Sequence, residues 1–172
     1  MQNLQKLIDT PRLVPALIVA VCLGTLATAF ASEIWGGLKP CILCIYQRWA
    51  YGVAAGFGLL GVILSASLVL RRLMVALAGL SFLAGAGIAF FHVGVEQLWW
   101  RGTDACHAPS FDADLTLEQL REAMLATDFV SCDVIPWSLF GISMAGYNAI
   151  FSLGLGLATL WVVTRMGRGA TA

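Results

Sequence analysis

The stretch LKPCILCIYQR contains a C-x-x-C pair, Cys41 and Cys44. Two further cysteines, Cys106 and Cys132, lie 26 positions apart later in the chain, and a fifth, Cys22, lies in a long apolar segment. Paired thiols can bind a metal ion, close structural disulfides or exchange disulfides with another protein. A lone buried cysteine is usually a small apolar residue, so we expect no role for Cys22.

Zinc binding and structural cross-linking are the two alternatives to a redox role. A structural four-cysteine zinc site usually combines two C-x₂₋₄-C pairs, whereas Cys106 and Cys132 are too far apart to supply the second one. No metal site is therefore expected. A disulfide between Cys106 and Cys132 could close a long loop, but one between Cys41 and Cys44 would close a loop too small to constrain much of the unfolded chain.

The neighbours of the C-x-x-C pair favour disulfide exchange. Pro40 suits the first turn of a helix, where its missing N–H is not needed. Cys41 and Cys44 would then lie in that turn, where unpaired N–H groups and the helix dipole stabilise a thiolate. Arg48 follows Cys44 by four residues on the same helical face, so its charge would further favour the Cys44 thiolate. The alternative is that Arg48 reaches toward lipid headgroups.

The composition indicates a membrane protein. Apolar residues make up 59% of the chain and charged residues 12%, against about 45–50% and about 25% in soluble domains. The net charge is +0, so no nucleic-acid partner is expected. Four apolar segments are long enough to cross a ~30 Å hydrocarbon layer as helices. They cover about residues 13–33, 41–70, 73–95 and 136–164.

The charge distribution predicts the orientation of these helices. The side that we expect to be cytoplasmic carries six basic residues near the ends of the spans: Lys6, Arg12, Arg71, Arg72, Arg165 and Arg168. The other side carries four: Lys39, Arg48, Arg101 and Arg121. By the positive-inside rule both termini are cytoplasmic, and Arg71-Arg72 forms a very tight cytoplasmic turn. The four paired cysteines then lie in two loops on the oxidising side of a bacterial membrane.

The predicted fold is an all-α membrane protein, a four-transmembrane-helix bundle that forms a single domain over residues 1–172. Two periplasmic loops cover about residues 32–42 and 96–135. The second loop contains LTLEQLREAML, where Thr116 and Gln119 match a capping box. A short amphipathic helix lying on the membrane surface is expected there. Its apolar face would consist of Leu117, Leu120, Met124 and Leu125.

These motifs closely resemble those of the disulfide bond formation protein B (DsbB) family of bacterial inner membranes. The resemblance rests on the K-P-C-x-L-C-x-Y-x-R string, the cysteine pair in the long loop, and WSLFGIS at the start of the fourth span. It implies a multi-pass protein-dithiol:quinone oxidoreductase that reoxidises a periplasmic DsbA-like protein of thioredoxin fold. The electrons would pass to ubiquinone or menaquinone in the quinone pool of the lipid bilayer. Quinone-coupled relatives of the vitamin K epoxide reductase class look similar in architecture, but their C-x-x-C comes late in the chain.

The resemblance also implies a role for each paired cysteine. The thiolate of the partner protein would attack Cys106 and form a mixed disulfide. Cys132 would then pair with Cys41, and Cys44 would be freed as a thiolate that faces the quinone ring.

Four further residues gain expectations from the resemblance. Arg48 would hold the quinone and stabilise the Cys44 thiolate. His92, in FFHVGVEQ, matches a position close to the quinone, the alternative being an interfacial histidine that is hydrogen-bonded within the bundle. Gln47 replaces an acid found in some relatives, so no proton-transfer role is assumed there. Glu96 follows His92 by one helical turn, and we expect a simple hydrogen-bonded pair between them, the alternative being a relay for a quinone proton.

Overall fold

The computed structural model describes residues 2–106, 116–118, 121 and 130–167. Most of these residues are helical. The helices are α1 (Gln2–Asp9), α2 (Leu13–Ile34), α3 (Ile42–Ile63), α4 (Leu68–Glu96) and α5 (Met144–Arg165). A short 3₁₀ turn covers Asp104–Cys106, and a small antiparallel hairpin consists of β1 (Ser138–Leu139) and β2 (Ile142–Ser143).

Three of the described helices, α2, α4 and α5, are long and apolar enough to cross a membrane. This identifies a multi-pass helical membrane protein. Helix α3 has the same length as α2, 22 residues, but Gln47 and Arg48 lower its hydropathy. The count of four spans therefore stays a prediction that depends on α3.

Helix α4 lies at the centre of the bundle, where it packs against α3 on one side and α5 on the other, while α2 packs against α3. The backbones of α4 and α5 approach closely because Gly156 of α5 faces Leu83 and the carbonyl oxygen of Gly79. Small residues permit such contacts between helices in lipid. The buried core between the helices includes Cys22, Tyr51 and Phe82.

One end of the bundle joins α1, the turn between α3 and α4, and the end of α5. The Gly167 backbone N–H donates to Asp9 Oδ1 at 2.7 Å, and Arg12 Nε donates to Ser65 Oγ at 3.3 Å. Arg72 donates to the carbonyl oxygen of Met166. The first helix and the last therefore meet at the same end, the end that also holds the α3–α4 turn.

The predicted turn at Arg71-Arg72 is wrong. Helix α3 ends at Ile63 and α4 begins at Leu68, so the turn covers residues 64–67. Ser67 caps α4, since its side chain accepts a hydrogen bond from the Leu70 N–H at 3.4 Å. A serine cap is a strong local start signal, and the two arginines then continue the first turns of α4.

The predicted start of the fourth span at residue 136 is also wrong. The hairpin occupies residues 138–143, which also departs from an all-α fold. Its two turn residues, Phe140 and Gly141, have φ of 51° and 77°, the combination that a two-residue type I′ hairpin requires. Helix α5 begins only after Ser143, whose side chain accepts from the Gly146 N–H at 3.1 Å.

The predicted amphipathic helix in the long loop lies almost wholly outside the described residues. Of its capping box and apolar face, only Thr116 and Leu117 are described. That helix stays a prediction.

Candidate functional site

Cys41 and Cys44 lie at the start of α3. Cys41 is the N-cap residue, and its sulfur accepts a hydrogen bond from the Cys44 N–H at 3.4 Å. The two Sγ atoms are 3.0 Å apart, and both cysteines are free of disulfides. The predicted helix start thus places both sulfurs at the positive end of the α3 dipole.

The Cys41 thiol is surrounded by hydrogen-bond donors. It lies before the first helical residue and is almost completely buried. The hydrogen bond with the Cys44 thiol, opposed by burial and aided by the His92 ring, holds the pKa of Cys41 well below its usual value of 9.0. A lowered pKa increases the thiolate fraction, which is the nucleophilic form of cysteine.

His92 lies in α4 beside the thiol pair rather than apart from it. Its Nε2 is 3.5 Å from Cys41 Sγ, and its Nδ1 is 3.0 Å from Gln47 Nε2. The ring is buried, at 3% exposure. His92 therefore connects the first cysteine of the motif to a polar side chain one turn further into α3.

Glu96 does not form the hydrogen-bonded pair with His92 that the sequence predicts. The distance from Glu96 Oε1 to His92 Nε2 is 3.9 Å, which is too long for a hydrogen bond. Its strong partner is Ser143, whose hydroxyl donates to Glu96 Oε2 at 2.5 Å. The carboxyl group thus ties the end of α4 to the cap of α5.

Cys106 and Cys132 are joined by a disulfide, with their Cα atoms 5.3 Å apart. Both belong to one buried cluster that also contains Cys41, Leu43 and Val95. The structure therefore brings the four paired cysteines together at the end of the bundle opposite to the α3–α4 turn.

A cavity of about 380 Å³ lies beside this disulfide. Cys106 lines it, together with Trp99, Trp100, Arg101 and Asp133 among others. Trp100 is fixed there by stacking on Phe91 and by its hydrogen bond to the Phe91 carbonyl oxygen at 3.0 Å. Cys106 is otherwise buried, so this cavity provides an approach to its sulfur.

A larger cavity of about 660 Å³ lies among α2, α3, α4 and α5. Its walls are mostly apolar, and its volume is that of a site for a small organic molecule. Cys44, Arg48 and His92 are three of its lining residues, so all three residues predicted to face a quinone line a single cavity. Tyr51 and Asn148 add polar groups to the same walls.

Arg48 is held by Glu33 rather than by Cys44. Its Nη1 lies 2.5 Å from Glu33 Oε2, and its Nη2 donates to the Ala29 carbonyl oxygen at 3.4 Å. The guanidinium also lies over the Phe30 ring, 4.8 Å from the centroid. Glu33 was not predicted from the sequence, although an acid at the end of an apolar span is a recognisable sign of an ion pair.

A chain of polar contacts links α3 to α4 and α5, and three of its members, Tyr51, Asn148 and Ser152, were not predicted from the sequence. It begins at His92 and continues through Gln47, Asn148, Tyr51 and Ser152, with distances from 2.5 to 3.0 Å. The available signal was the presence of amide side chains within otherwise apolar helices, because polar groups in lipid are costly unless paired.

Metal binding fits the thiol pair poorly. Cys41 Sγ, Cys44 Sγ and His92 Nε2 lie within 4.8 Å of one another. Two thiolates bound tetrahedrally to one zinc ion at about 2.3 Å would be about 3.7 Å apart, whereas these sulfurs are 3.0 Å apart. The spacing suits a pair that forms and breaks a sulfur–sulfur bond.

The sequence was compared with known proteins. The family model described as disulfide bond formation protein DsbB matches residues 11–162. Disulfide bond formation protein B of Xanthomonas axonopodis pv. citri is 32% identical over 155 residues, which cover 87% of this chain and 88% of that protein. The protein of the same name from Haemophilus influenzae is 28% identical over 169 residues, 96% of this chain and 94% of its own. The resemblance seen in the cysteine motif is confirmed, and the chain belongs to the DsbB family of disulfide bond formation proteins.

Proposed function

We propose that the protein is a thiol:quinone oxidoreductase of the bacterial inner membrane, which reoxidises a DsbA-like dithiol protein and thereby supports disulfide bond formation. The observation that carries the proposal is the position of Cys44. It lines the larger cavity, while its neighbour Cys41 shares a buried cluster with the disulfide Cys106–Cys132. Cys44 thus faces the cavity proposed for the quinone, and Cys41 faces the disulfide that the partner protein would attack.

Electrons would enter through the disulfide of the long loop. A thiolate of the partner protein attacks Cys106 Sγ, the Cys106–Cys132 bond breaks, and a mixed disulfide forms. The second thiolate of the partner then attacks that bond, which releases the partner as a disulfide and leaves Cys106 and Cys132 reduced. The cavity beside Cys106, with its tryptophans, provides the approach for a thioredoxin-fold partner.

Exchange between the two pairs would follow. The Cys132 thiolate attacks an oxidised Cys41–Cys44 bond at Cys41, and Cys44 leaves as a thiolate into the larger cavity. Cys106 then resolves the Cys132–Cys41 bond, which restores the loop disulfide and leaves Cys41 and Cys44 reduced. The short distance between the pairs within one buried cluster supports this sequence of steps.

The larger cavity fits a quinone headgroup. Its apolar walls suit the ring and the start of an isoprenoid tail, while Arg48 and Asn148 can donate hydrogen bonds to carbonyl oxygens and His92 lines the same cavity. A quinone supplies an acceptor for two electrons and two protons, so that Cys41 and Cys44 can be reoxidised to a disulfide. Arg48 would orient the ring and favour the thiolate of Cys44 through its charge. Either ubiquinone or menaquinone has the required ring and tail.

The orientation proposed from the charges matches these steps. All four paired cysteines would face the periplasm and both termini the cytoplasm. The periplasm is an oxidising compartment in which disulfides persist. A membrane quinone pool would keep the flow of electrons in one direction.

The test is quinone reduction by purified protein supplied with a reduced DsbA-like dithiol protein and ubiquinone. We expect Cys44→Ser to lose about two orders of magnitude or more of the rate, because the electrons then have no route from the thiols to the ring. Cys22→Ala is the matched control, since Cys22 is buried in the core between the helices and is not among the lining residues of the cavity. Quinone reduction by Cys44→Ser at the native rate would show the proposal to be wrong.

A further inference from the structure

The hydrogen bonds of the polar chain that links His92, Gln47, Asn148, Tyr51 and Ser152 run in one donor-to-acceptor direction. The contacts at the end away from His92 set this direction. Tyr51 OH lies 2.9 Å from Asn148 Oδ1, and Ser152 Oγ lies 3.0 Å from the same atom. Tyr51 OH and Ser152 Oγ are also 2.8 Å apart, so this hydroxyl pair has two protons, and Asn148 Oδ1 accepts at least one of them. The Asn148 amide therefore points its Nδ2 the other way. Its Nδ2 then donates to Gln47 Oε1 at 2.5 Å.

The direction is carried from Asn148 to the histidine ring. With Oε1 engaged by Asn148, Gln47 turns its Nε2 toward His92 Nδ1, 3.0 Å away. An amide N–H can only donate, so Nδ1 must be the unprotonated, accepting nitrogen of the neutral ring. The proton of the ring is then on Nε2, the atom that lies 3.5 Å from Cys41 Sγ.

The opposite direction leaves a polar group unsatisfied. If Asn148 turned its Nδ2 toward Tyr51 and Ser152, the two hydroxyls could still bond each other at 2.8 Å, but the second of their two protons would lose Asn148 Oδ1 as its acceptor. Unpaired buried groups of this kind cost about 1–3 kcal/mol each, so the first direction is the stable one.

We propose that Gln47 and Asn148 are positioning residues that hold His92 in the tautomer with the proton on Nε2, so that the ring donates a hydrogen bond to the Cys41 sulfur. A protonated Nε2 donates to the sulfur and thereby stabilises it as a thiolate. Gln47 is uncharged, so it orients the His92 ring without placing a negative charge beside it, as an acidic residue at this position would.

The inference deepens the proposed function, because it concerns the thiol pair that the quinone would reoxidise. It needs neither quinone nor partner protein, since the tautomer and the hydrogen bond belong to the chain alone. The titratable groups around the ring are Glu96 on its own helix and Cys41 and Cys44 at the start of α3. The charge of Arg48 is engaged by Glu33, and α5 contributes the neutral Asn148.

The first experiment is nitrogen NMR of histidine-labelled protein in detergent, reduced and without quinone. The chain has two histidines, so His107→Gln leaves His92 as the single signal. Protonated and unprotonated ring nitrogens resonate at different frequencies and identify the tautomer. We expect the Nε2–H form alone in this background, and a mixture of both tautomers once Gln47→Met or Asn148→Leu is added. Finding the Nδ1–H form before either substitution would overturn the inference.

The second experiment follows the Cys41 thiolate by its ultraviolet absorbance as the pH is raised, with Cys41→Ser as the blank. Losing a donor to a charged sulfur shifts the midpoint upward by about one to two pH units. We expect Gln47→Met and Asn148→Leu to cause similar shifts, and the double variant to add little, because both act through one chain. Thr159→Val, which removes a buried hydroxyl from α5 outside the chain, should not move the midpoint.

The outcomes separate this inference from the proposed function. Unchanged midpoints and an unchanged tautomer in both single variants would overturn the positioning role, whatever the quinone-reduction rate. If the unsubstituted protein failed to reduce quinone but showed the Nε2–H tautomer and the expected shifts, the positioning role would stand and the proposed function would fall. The Cys106–Cys132 disulfide, mapped by mass spectrometry before reduction, shows that each variant has folded.

Discussion

Arg48 illustrates how a single charged residue is accommodated near the membrane. Its ion pair with Glu33 is partly exposed, at 19% for Arg48 and 35% for Glu33, and Phe30 covers one face of the guanidinium. A carboxylate at this depth is costly without a partner. The ion pair with Glu33 and the contact with Phe30 therefore hold Arg48 in a fixed position at the cavity wall.

This arrangement predicts coupling between the two residues. Arg48→Met leaves the Glu33 carboxylate without its cation, so it should destabilise the fold more than Arg48→Met combined with Glu33→Gln. Because the pair is partly exposed, we expect a coupling energy of about 1 kcal/mol. Unfolding titrations of the two single variants and the double variant in detergent give this energy directly.

The exposed Arg101 provides the control for this cycle. Arg101→Met should show no coupling with Glu33→Gln. A coupling energy of zero between Arg48 and Glu33 would mean that the ion pair contributes nothing to the fold.

The candidate site could be predicted from the sequence where single residues carry the signal. Cysteines two residues apart and an arginine in an apolar segment are unusual by themselves. Glu33 and Asn148 act only through partners far away in the chain, and no spacing rule connects α2 or α5 to α3. Such contacts depend on how the helices pack, which one sequence does not reveal.

At the scale of the elements, the existence of the long helices could be predicted but several of their ends could not. Apolar runs identify helices because backbone groups in lipid need internal partners. The runs continue through residues 64–67 without a charged residue, so the Ser67 cap was overlooked in favour of Arg71-Arg72. The hairpin before α5 was likewise hidden, because Phe140 at positive φ is an unusual turn residue.

The packing of α4 on α5 predicts that two neighbouring glycines differ in their tolerance of substitution. A Cβ atom at Gly156 would lie 2.5 Å from Leu83 Cδ2 and 3.2 Å from the Gly79 carbonyl oxygen, whereas one at Gly154 would meet nothing within 4 Å. Gly156→Ala should therefore destabilise the bundle by about 1–3 kcal/mol. Gly154→Ala should be neutral or slightly stabilising, since alanine is the better helix former.

Thermal unfolding in one detergent compares the two variants under matched conditions. Both substitutions add one methyl group to the same helix two residues apart. Equal stabilities would contradict the close approach of α4 and α5 at Gly156.

At the scale of the whole molecule, the two ends of the bundle have different chemistry. One end carries Arg12, Arg71 and Arg72 near the α3–α4 turn, and the other carries the four paired cysteines. The positive-inside rule assigns the first end to the cytoplasm. Helices α3 and α4 both extend from the cysteine end to the turn, so this separation requires α3 as well as α4 to cross the bilayer.

Labelling of single cysteines decides whether α3 crosses. Lys39 and Ala66 are both exposed and lie just before and just after α3. In chains whose native cysteines are replaced by serine, we expect a membrane-impermeant maleimide to label Lys39→Cys from the periplasmic side of intact cells. Ala66→Cys should be labelled only after the membrane is opened, because a helix of 22 residues at 1.5 Å rise per residue spans about 33 Å. Labelling of both positions from the same side would show that α3 does not cross the membrane. The bundle would then have three spans instead of four.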